Sequence, residues 1–397
     1  MTKYFTDLHI HVGQAKGLPV KITASNKMTV YNILDYSYNV KGLDIVGIVD
    51  CASPPVISEL EKLISKGELW ELDDGGLLYR NGMLLILGCE VEIPVGAGRS
   101  HFLAYFPDLT ALKNFSNWAS KNLSNVQLSS QCLKSDLESF VKIVQSLDGI
   151  FMPAHAFTPF KSLLGSSINN LNELNTSNSD LANINITAVE LGLSADKYLA
   201  DQIPSLKGIK YITNSDAHSL NKIAREYNLI RLEELSFKSL IKQLSGSSNN
   251  IENFGLHPQL GKYYRSFCLE CETNNGFEVP PVTKCQFCSS SRIVTGVLDR
   301  IAQLSGRKDM DSNKHPHKKQ GNYTYQVPLE DVPGIGNKTY KKLIRQLGPE
   351  IKIIHDSTES ELGQVVSARI IKKIFQIRNG NISLTPGGGG HYGRVKA

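Results

Sequence analysis

No run of apolar residues in this sequence is long enough to cross a bilayer, and no basic segment followed by an apolar one comes after Met1; neither membrane insertion nor secretion is expected. Cysteine is scarce, seven in 397 residues, and the odd number excludes a fully paired secreted framework. Cys51, Cys89 and Cys132 are scattered, whereas Cys268, Cys271, Cys285 and Cys288 are grouped. Lone thiols beside one thiolate cluster fit a reducing cytoplasm. Repeats of solenoid length are absent as well. What is present, 41% apolar and 20% charged residues, is ordinary for globular chains, and the length allows about two or three domains.

The net charge of +5 hides an asymmetry. Residues 1–250 hold 22 basic and 25 acidic groups and residues 251–397 hold 21 and 13, so contact with a polyanion is expected mainly from the C-terminal part. The first part carries short apolar runs at 3–10, 43–50, 83–93, 101–106, 149–155, 186–193, 209–213 and 228–232, with helix-like segments at 56–67, 136–147 and 237–244. Strand followed by helix, repeated, predicts a closed or nearly closed α/β barrel. Residues 120–131 and 161–185 lack a steady period and read as loops with short helices, and 387–390 as a disordered tail with no role.

Five of the ten histidines lie in residues 1–250, each at or beside an end of an apolar run. His9 and His11 close the first run, and alternation along a strand turns them to one side, with Leu8 and Ile10 facing the opposite layer. Asp50 ends the second run, and Glu90 and Glu92 share a face of the third. His101 opens the fourth, His155 ends the fifth, and Asp216 and His218 follow the seventh. The C-terminal strand ends of an α/β barrel gather on one face, where all these groups converge except His101, which precedes its run. A lone histidine is commonly a satisfied core group. A set of imidazoles and carboxylates from separate strands instead suits Zn, Mn or Fe better than Ca, and Glu90 and Asp216 can each bridge two cations. Such cations would activate water for displacement at phosphorus, with no nucleophilic side chain required. Glu190 and Asp196 lie past another strand end, as supports for the ligands or as surface or capping groups.

Taken in order, His9-Ile10-His11, Glu90, His101, His155 and Asp216-Ala217-His218 resemble the PHP (polymerase and histidinol phosphatase) family over about residues 1–245. The resemblance implies a distorted PHP-type (β/α)7 barrel. It also implies two or three divalent cations, Zn, Mn or Mg, on His9, His11, Asp50, Glu90, His101, His155, Asp216 and His218, with Asp216, Glu90, His9 and His11 catalytic. There is one departure. Many members carry Asp-His after the second strand and an acidic residue or histidine soon after the first, where this chain has Asp50-Cys51, then Gln14 and Lys16. A lysine there repels a cation unless it points at substrate phosphate, so Lys16 is assigned to DNA. A two-metal core is favoured over a third metal on Asp50 and His218.

Cys268-x-x-Cys271 and Cys285-x-x-Cys288 stand 13 residues apart, the spacing of a zinc ribbon or knuckle. Four thiolates leave no open position, so this zinc is structural. Farther on, Val332-Pro333-Gly334-Ile335-Gly336-Asn337-Lys338-Thr339 lies between two helix-like segments and resembles a helix-hairpin-helix. In that motif Gly334 and Gly336 bring backbone close to a nucleic-acid phosphate and Lys338 assists.

The order of these parts resembles the endonuclease Q family over nearly the whole chain. It divides the chain into a PHP metallo-phosphoesterase barrel (1–245), a four-cysteine zinc-binding module (246–304), a flexible basic linker (305–322) and a helical helix-hairpin-helix DNA-binding domain (323–397). It implies a cytoplasmic, nucleoid-associated DNA repair endonuclease acting on double-stranded DNA with deaminated or abasic nucleotides. The cut is 5′ to uracil, hypoxanthine, xanthine or an abasic site and leaves 3′-hydroxyl and 5′-phosphate ends. Two rivals remain open: a PHP-type exonuclease or small-molecule phosphoesterase, and a non-catalytic DNA-binding scaffold. The sequence names no protein partner.

Overall fold

The computed structural model describes residues 1–174, 184–275, 279–307, 321–381 and 383–395. The central strand, β1 (Thr2–Ile10), is flanked by parallel β2 (Ile45–Ile48), and β2 in turn by parallel β3 (Met83–Val95). β4 (Gly98–Phe106) and β5 (Ile150–Pro153) continue the ladder antiparallel. β6 (Ala188–Glu190) and β7 (Lys210–Ile212) form a separate parallel pair, and β8 (Tyr227–Leu232) returns antiparallel to β1. The gaps between ladders are bridged. The Ala156 amide donates to Glu190 O at 2.8 Å, and the Asn228 carboxamide bonds both the N–H (3.0 Å) and C=O (2.7 Å) of Thr213. The result is a distorted α/β barrel.

Every strand of the ring sends apolar side chains into one interior cluster, among them Leu8, Ile86, Leu103, Met152, Ile212 and Ile230. The alternate residues meet the outer helices α1 (Pro54–Ser65), α2 (Leu109–Asn122) and α3 (Leu137–Ser146). The side chains of Asp108 and Asp136 start α2 and α3 by accepting from the amides of Ala111 (2.7 Å) and Ser139 (2.8 Å). Sequence periodicity assigns no helix to residues 109–119, because this Asn- and Ser-containing stretch has weak propensity. Burial of Leu112, Phe115 and Ala119, at about 1.5–3 kcal/mol for each large side chain, holds α2 in place. α4 (Phe237–Ser245) adds Phe237, Leu240 and Leu244 to the interior.

Two expectations of strand geometry change. The register of β1 against β2 breaks between Asp7 and Ile10, so Leu8 belongs to the interior and Ile10 to the outer cluster, while His9 and His11 still share a side. β4 runs antiparallel to β3, with His101 opposite Glu92. The start of β4 therefore lies at the C-terminal end of β3, which is why a histidine that precedes its apolar run still reaches the common face.

The sheet continues past residue 245. β9 (Ile251–Gly255) pairs with β8; β10 (Phe267–Cys268) and β11 (Ile293–Val294) form a ribbon beside the cysteines; β12 (Tyr323–Tyr325) lies parallel to β9. Strands of five and three residues carry too little periodicity to read, so the barrel sheet takes residues from both sides of the expected boundaries at 246 and 323. α5 (Val297–Ser305) reaches the start of the expected linker, and 308–320 lie outside the described residues.

α6 (Asn337–Leu347), α7 (Glu350–His355), α8 (Glu359–Gly363) and α9 (Ala368–Arg378) enclose their own core, including Val332, Ile335, Leu343, Ile353 and Leu362. This helical unit is fixed to the barrel. Lys41 donates to Glu350, which also accepts from Tyr340 Oη (2.6 Å) and the Leu329 amide (2.9 Å), and the His355 ring stacks on Phe5 at 5.7 Å. The glycine-rich tail is ordered where described: the Gly387 amide donates to Gln259 O (2.7 Å) and the Gly390 amide to Lys262 O (3.1 Å). Lys396 falls outside the described residues.

Candidate metal centre

At the C-terminal face of the barrel, His9 Nε2 and His11 Nε2 lie 3.2 Å apart. The other nitrogen of each ring is held by a carboxylate: His9 Nδ1 lies 3.0 Å from Glu190 Oε1, and His11 Nδ1 lies 3.1 Å from both oxygens of Asp50. A proton kept at each Nδ1 leaves two lone pairs facing one another at Nε2, an arrangement that a shared cation relieves.

Glu90 lies at the centre. Its Oε1 is 3.6 Å from His9 Nε2, 3.5 Å from His155 Nε2 and 2.8 Å from His101 Nδ1, while Oε2 is 3.6 Å from His11 Nε2. Asp216 Oδ1 reaches His9 Nε2 (3.6 Å), His11 Nε2 (3.4 Å) and His218 Nδ1 (3.5 Å). Three donor groups result, each compact enough for one ion: His9, His11 and Glu90; His11, Asp216 and His218; Glu90, His101 and His155. His155 and Asp216 both hold positive φ, 31° and 45°, backbone strain of the kind that gathers at functional sites. Gly192 packs so closely beside His155 that a Cβ there would meet the His155 Cβ at 2.9 Å.

The donor set fits divalent metal. Burial works against charge on His9, yet Glu190, Asp216 and Glu90 lift its pKa to about 10, so acidic charge exceeds what neutral imidazoles balance. Burial likewise opposes ionisation of Glu90 and Asp216. The nearby His101 and Lys21, and His9 and His11 respectively, nonetheless hold them well below the usual carboxylate range. His101 Nε2 is buried with no hydrogen-bond partner among the described residues.

Seven of the eight expected ligands belong to these donor groups, and the eighth does not. Asp50 spends its carboxylate on His11 Nδ1, the Val12 amide (2.6 Å) and Ser129 Oγ, so it orients an imidazole. Glu190, which also accepts from the His155 amide (2.7 Å) and Asn214 (2.8 Å), is a support of the same kind. Asp196 caps the helix Lys197–Ala200 through the Leu199 amide at 2.9 Å. Lys16, expected at DNA, is exposed on a two-stranded turn, donates to Ser58 Oγ (3.1 Å) and does not line the cavity of the cluster. The lysine at the cluster is Lys21, whose Nζ donates to Glu90 Oε2 at 2.9 Å. Nothing in the sequence pattern separates the two, because only the turn at Lys16–Gly17 directs one outward and the other in.

The cluster opens into a cavity of about 750 Å3 whose rim includes Phe160, Lys222, Arg225, Lys262, Tyr263 and Tyr392. Arg225 Nη1 donates to the Tyr392 hydroxyl (3.1 Å), so the tail reaches the cavity mouth. Away from it, the cysteines form a fourth donor group, with Cys268 and Cys288 sulfurs 3.6 Å apart and Cys271 and Cys285 3.5 Å apart. The amides of Glu270 and Phe287 donate to Cys268 and Cys285 (3.4 Å each), the geometry of thiolate knuckles. At the hairpin, Gly334 has φ 100°, Gly336 caps α6, and both glycines and Lys338 are exposed while Val332 and Ile335 anchor inward. The segment before the turn is a single 3-10 turn, Leu329–Asp331, in place of the expected longer helix.

No family model matches the chain. The uncharacterized protein YqxK of Bacillus subtilis (strain 168) is 40% identical over 402 residues, spanning 100% of both chains. Among solved structures, the lesion-specific endonuclease PfuEndoQ from Pyrococcus furiosus is 30% identical with a TM-score of 0.79, over 100% of this chain and 95% of that one. The chain belongs to the endonuclease Q family. A second family structure, endonuclease Q in complex with a 27-mer duplex substrate bearing an abasic lesion at the active site, is 29% identical with a TM-score of 0.79, over 100% and 96% of the two chains. Among the described residues no helix is long and apolar enough to cross a membrane.

Proposed function

We propose that this endonuclease Q family member is a metal-dependent DNA repair endonuclease. It cuts duplex DNA 5′ to uracil, hypoxanthine, xanthine or an abasic site and leaves 3′-hydroxyl and 5′-phosphate ends. The observation that carries this reading is the end-to-end match to a lesion-specific endonuclease, combined with a three-group cluster of histidines and carboxylates at the barrel face. His9, His11, Glu90, His101, His155, Asp216 and His218 hold two or three divalent cations, Zn, Mn or Mg. When bound, such ions lower the pKa of water and offset charge at phosphorus. Glu190 and Asp50 fix the imidazoles for that task. Lys222, Arg225 and Lys262 draw the phosphodiester backbone to the cavity, and the Gly334–Gly336 turn with Lys338 grips a backbone phosphate without reading sequence. The four cysteines hold a structural zinc. Damaged nucleotides unstack easily, and Phe160, Tyr263 and Tyr392 offer aromatic surfaces at the cavity mouth.

A covalently closed plasmid with one internal deoxyuridine tests the reading. Conversion to the nicked circle in Mn or Mg supports an endonuclease. A plasmid left intact, with nucleotides released only from linear ends, would leave the exonuclease reading; tight lesion binding with no cutting would leave the scaffold.

A further inference from the structure

Lys21 follows a short turn that folds back on β1, where its amide donates to Val12 O at 2.9 Å, one residue beyond His11. Its side chain is only 14% exposed, yet Lys21 is one of the walls of the catalytic cavity. The ammonium donates to Glu90 Oε2 at 2.9 Å and to Ser130 Oγ. Glu90 thus divides its two oxygens: Oε1 faces His9, His101 and His155, and Oε2 faces His11, Lys21 and Ser130. An ammonium carries three N–H donors. Two are spent, and the third has no partner among the described residues. Packing alone does not explain a buried cation that borders the substrate space and retains an unused donor.

We propose that Lys21 is a further catalytic residue whose third N–H donates to a non-bridging oxygen of the phosphate being cut. The inference rests on the phosphodiesterase reading above. In that reaction the water oxygen bonds to phosphorus as the P–O3′ bond breaks; the water's proton passes to solvent, and O3′ leaves with a proton taken from solvent. Lys21 keeps its own proton throughout and balances the charge that gathers on the phosphate oxygens.

The probe is inorganic phosphate, titrated calorimetrically into the manganese-loaded full-length protein, with metal content measured on the same samples. Lys21→Met is expected to keep its manganese and bind phosphate about tenfold more weakly, whereas Lys21→Arg keeps most of the affinity. Equal phosphate affinity in wild type and Lys21→Met would overturn the proposal. So would loss of manganese from Lys21→Met, which would make Lys21 a brace for Glu90. Failure of the wild type to cut lesion DNA, with the phosphate contrast intact, would instead count against the lesion reading alone.

Discussion

Glu190 accepts bonds from His9 Nδ1, the His155 amide and Asn214, so one carboxylate sets the tautomer of one imidazole and the place of another. Glu190→Gln preserves shape and removes the charge. Manganese affinity measured by titration is expected to fall about 10–100-fold, with thermal stability nearly unchanged. Asp216 joins His9, His11 and His218, and Asp216→Ala is expected to reduce cutting below detection while DNA affinity stays within about twofold. Because φ is 45° there, alanine costs about 1 kcal/mol, and Asp216→Asn, tolerant of that conformation, checks that the loss is chemical. The histidines and Glu90 were legible because residue type and strand ends coincide. The split between Lys16 and Lys21 was not legible, since a single turn decides which ammonium enters the cavity. The placement of Asp50 is not legible for a similar reason: a strand-end carboxylate looks the same in sequence whether it faces a cation or the far side of a histidine.

Among the elements, α7 carries a built-in acid sensitivity. His355 is packed on Phe5 and Phe254, and its Nε2 lies 2.6 Å from Tyr227 Oη; burial, with Arg378 adding repulsion, depresses its pKa to about 4. Between pH 4 and the ordinary value of 6.5 the unfolded chain binds a proton that the folded chain refuses, so stability falls as pH drops through this window. The loss is at most about 3 kcal/mol. Urea melts at several pH values are expected to show it, and His355→Phe is expected to flatten that part of the profile. In the cysteine ribbon, Cys285→Ser is expected to lose one equivalent of zinc and lower the melting temperature, read by metal analysis and calorimetry. The grouping of the four cysteines is clear from spacing alone. β9 and β12 were not, because short strands take their stability from partners distant in the chain.

Over the whole molecule, the helical unit is locked to the barrel through the buried Lys41–Glu350 pair, and Asn221 and Lys222, just past Asp216 and His218, bind Glu330 (3.2 and 2.7 Å). Glu350→Leu alone strands a buried ammonium and is expected to cost about 3–5 kcal/mol, while the double change Lys41→Met with Glu350→Leu recovers most of it, as denaturant titration would show. The barrel and the sequence of modules could be read from strand spacing and motifs. Their close union could not, since it depends on single pairs between residues some 300 positions apart. Under the proposed function, one cation-loaded barrel face cuts DNA beside a lesion. The most direct measurement maps, at nucleotide resolution, the products from a duplex with one internal deoxyuridine or deoxyinosine, with and without Mg or Mn and beside Asp216→Ala. A single metal-dependent nick immediately 5′ of the lesion, absent from the variant, is expected. Intact DNA, or a ladder growing only from the ends, would contradict it.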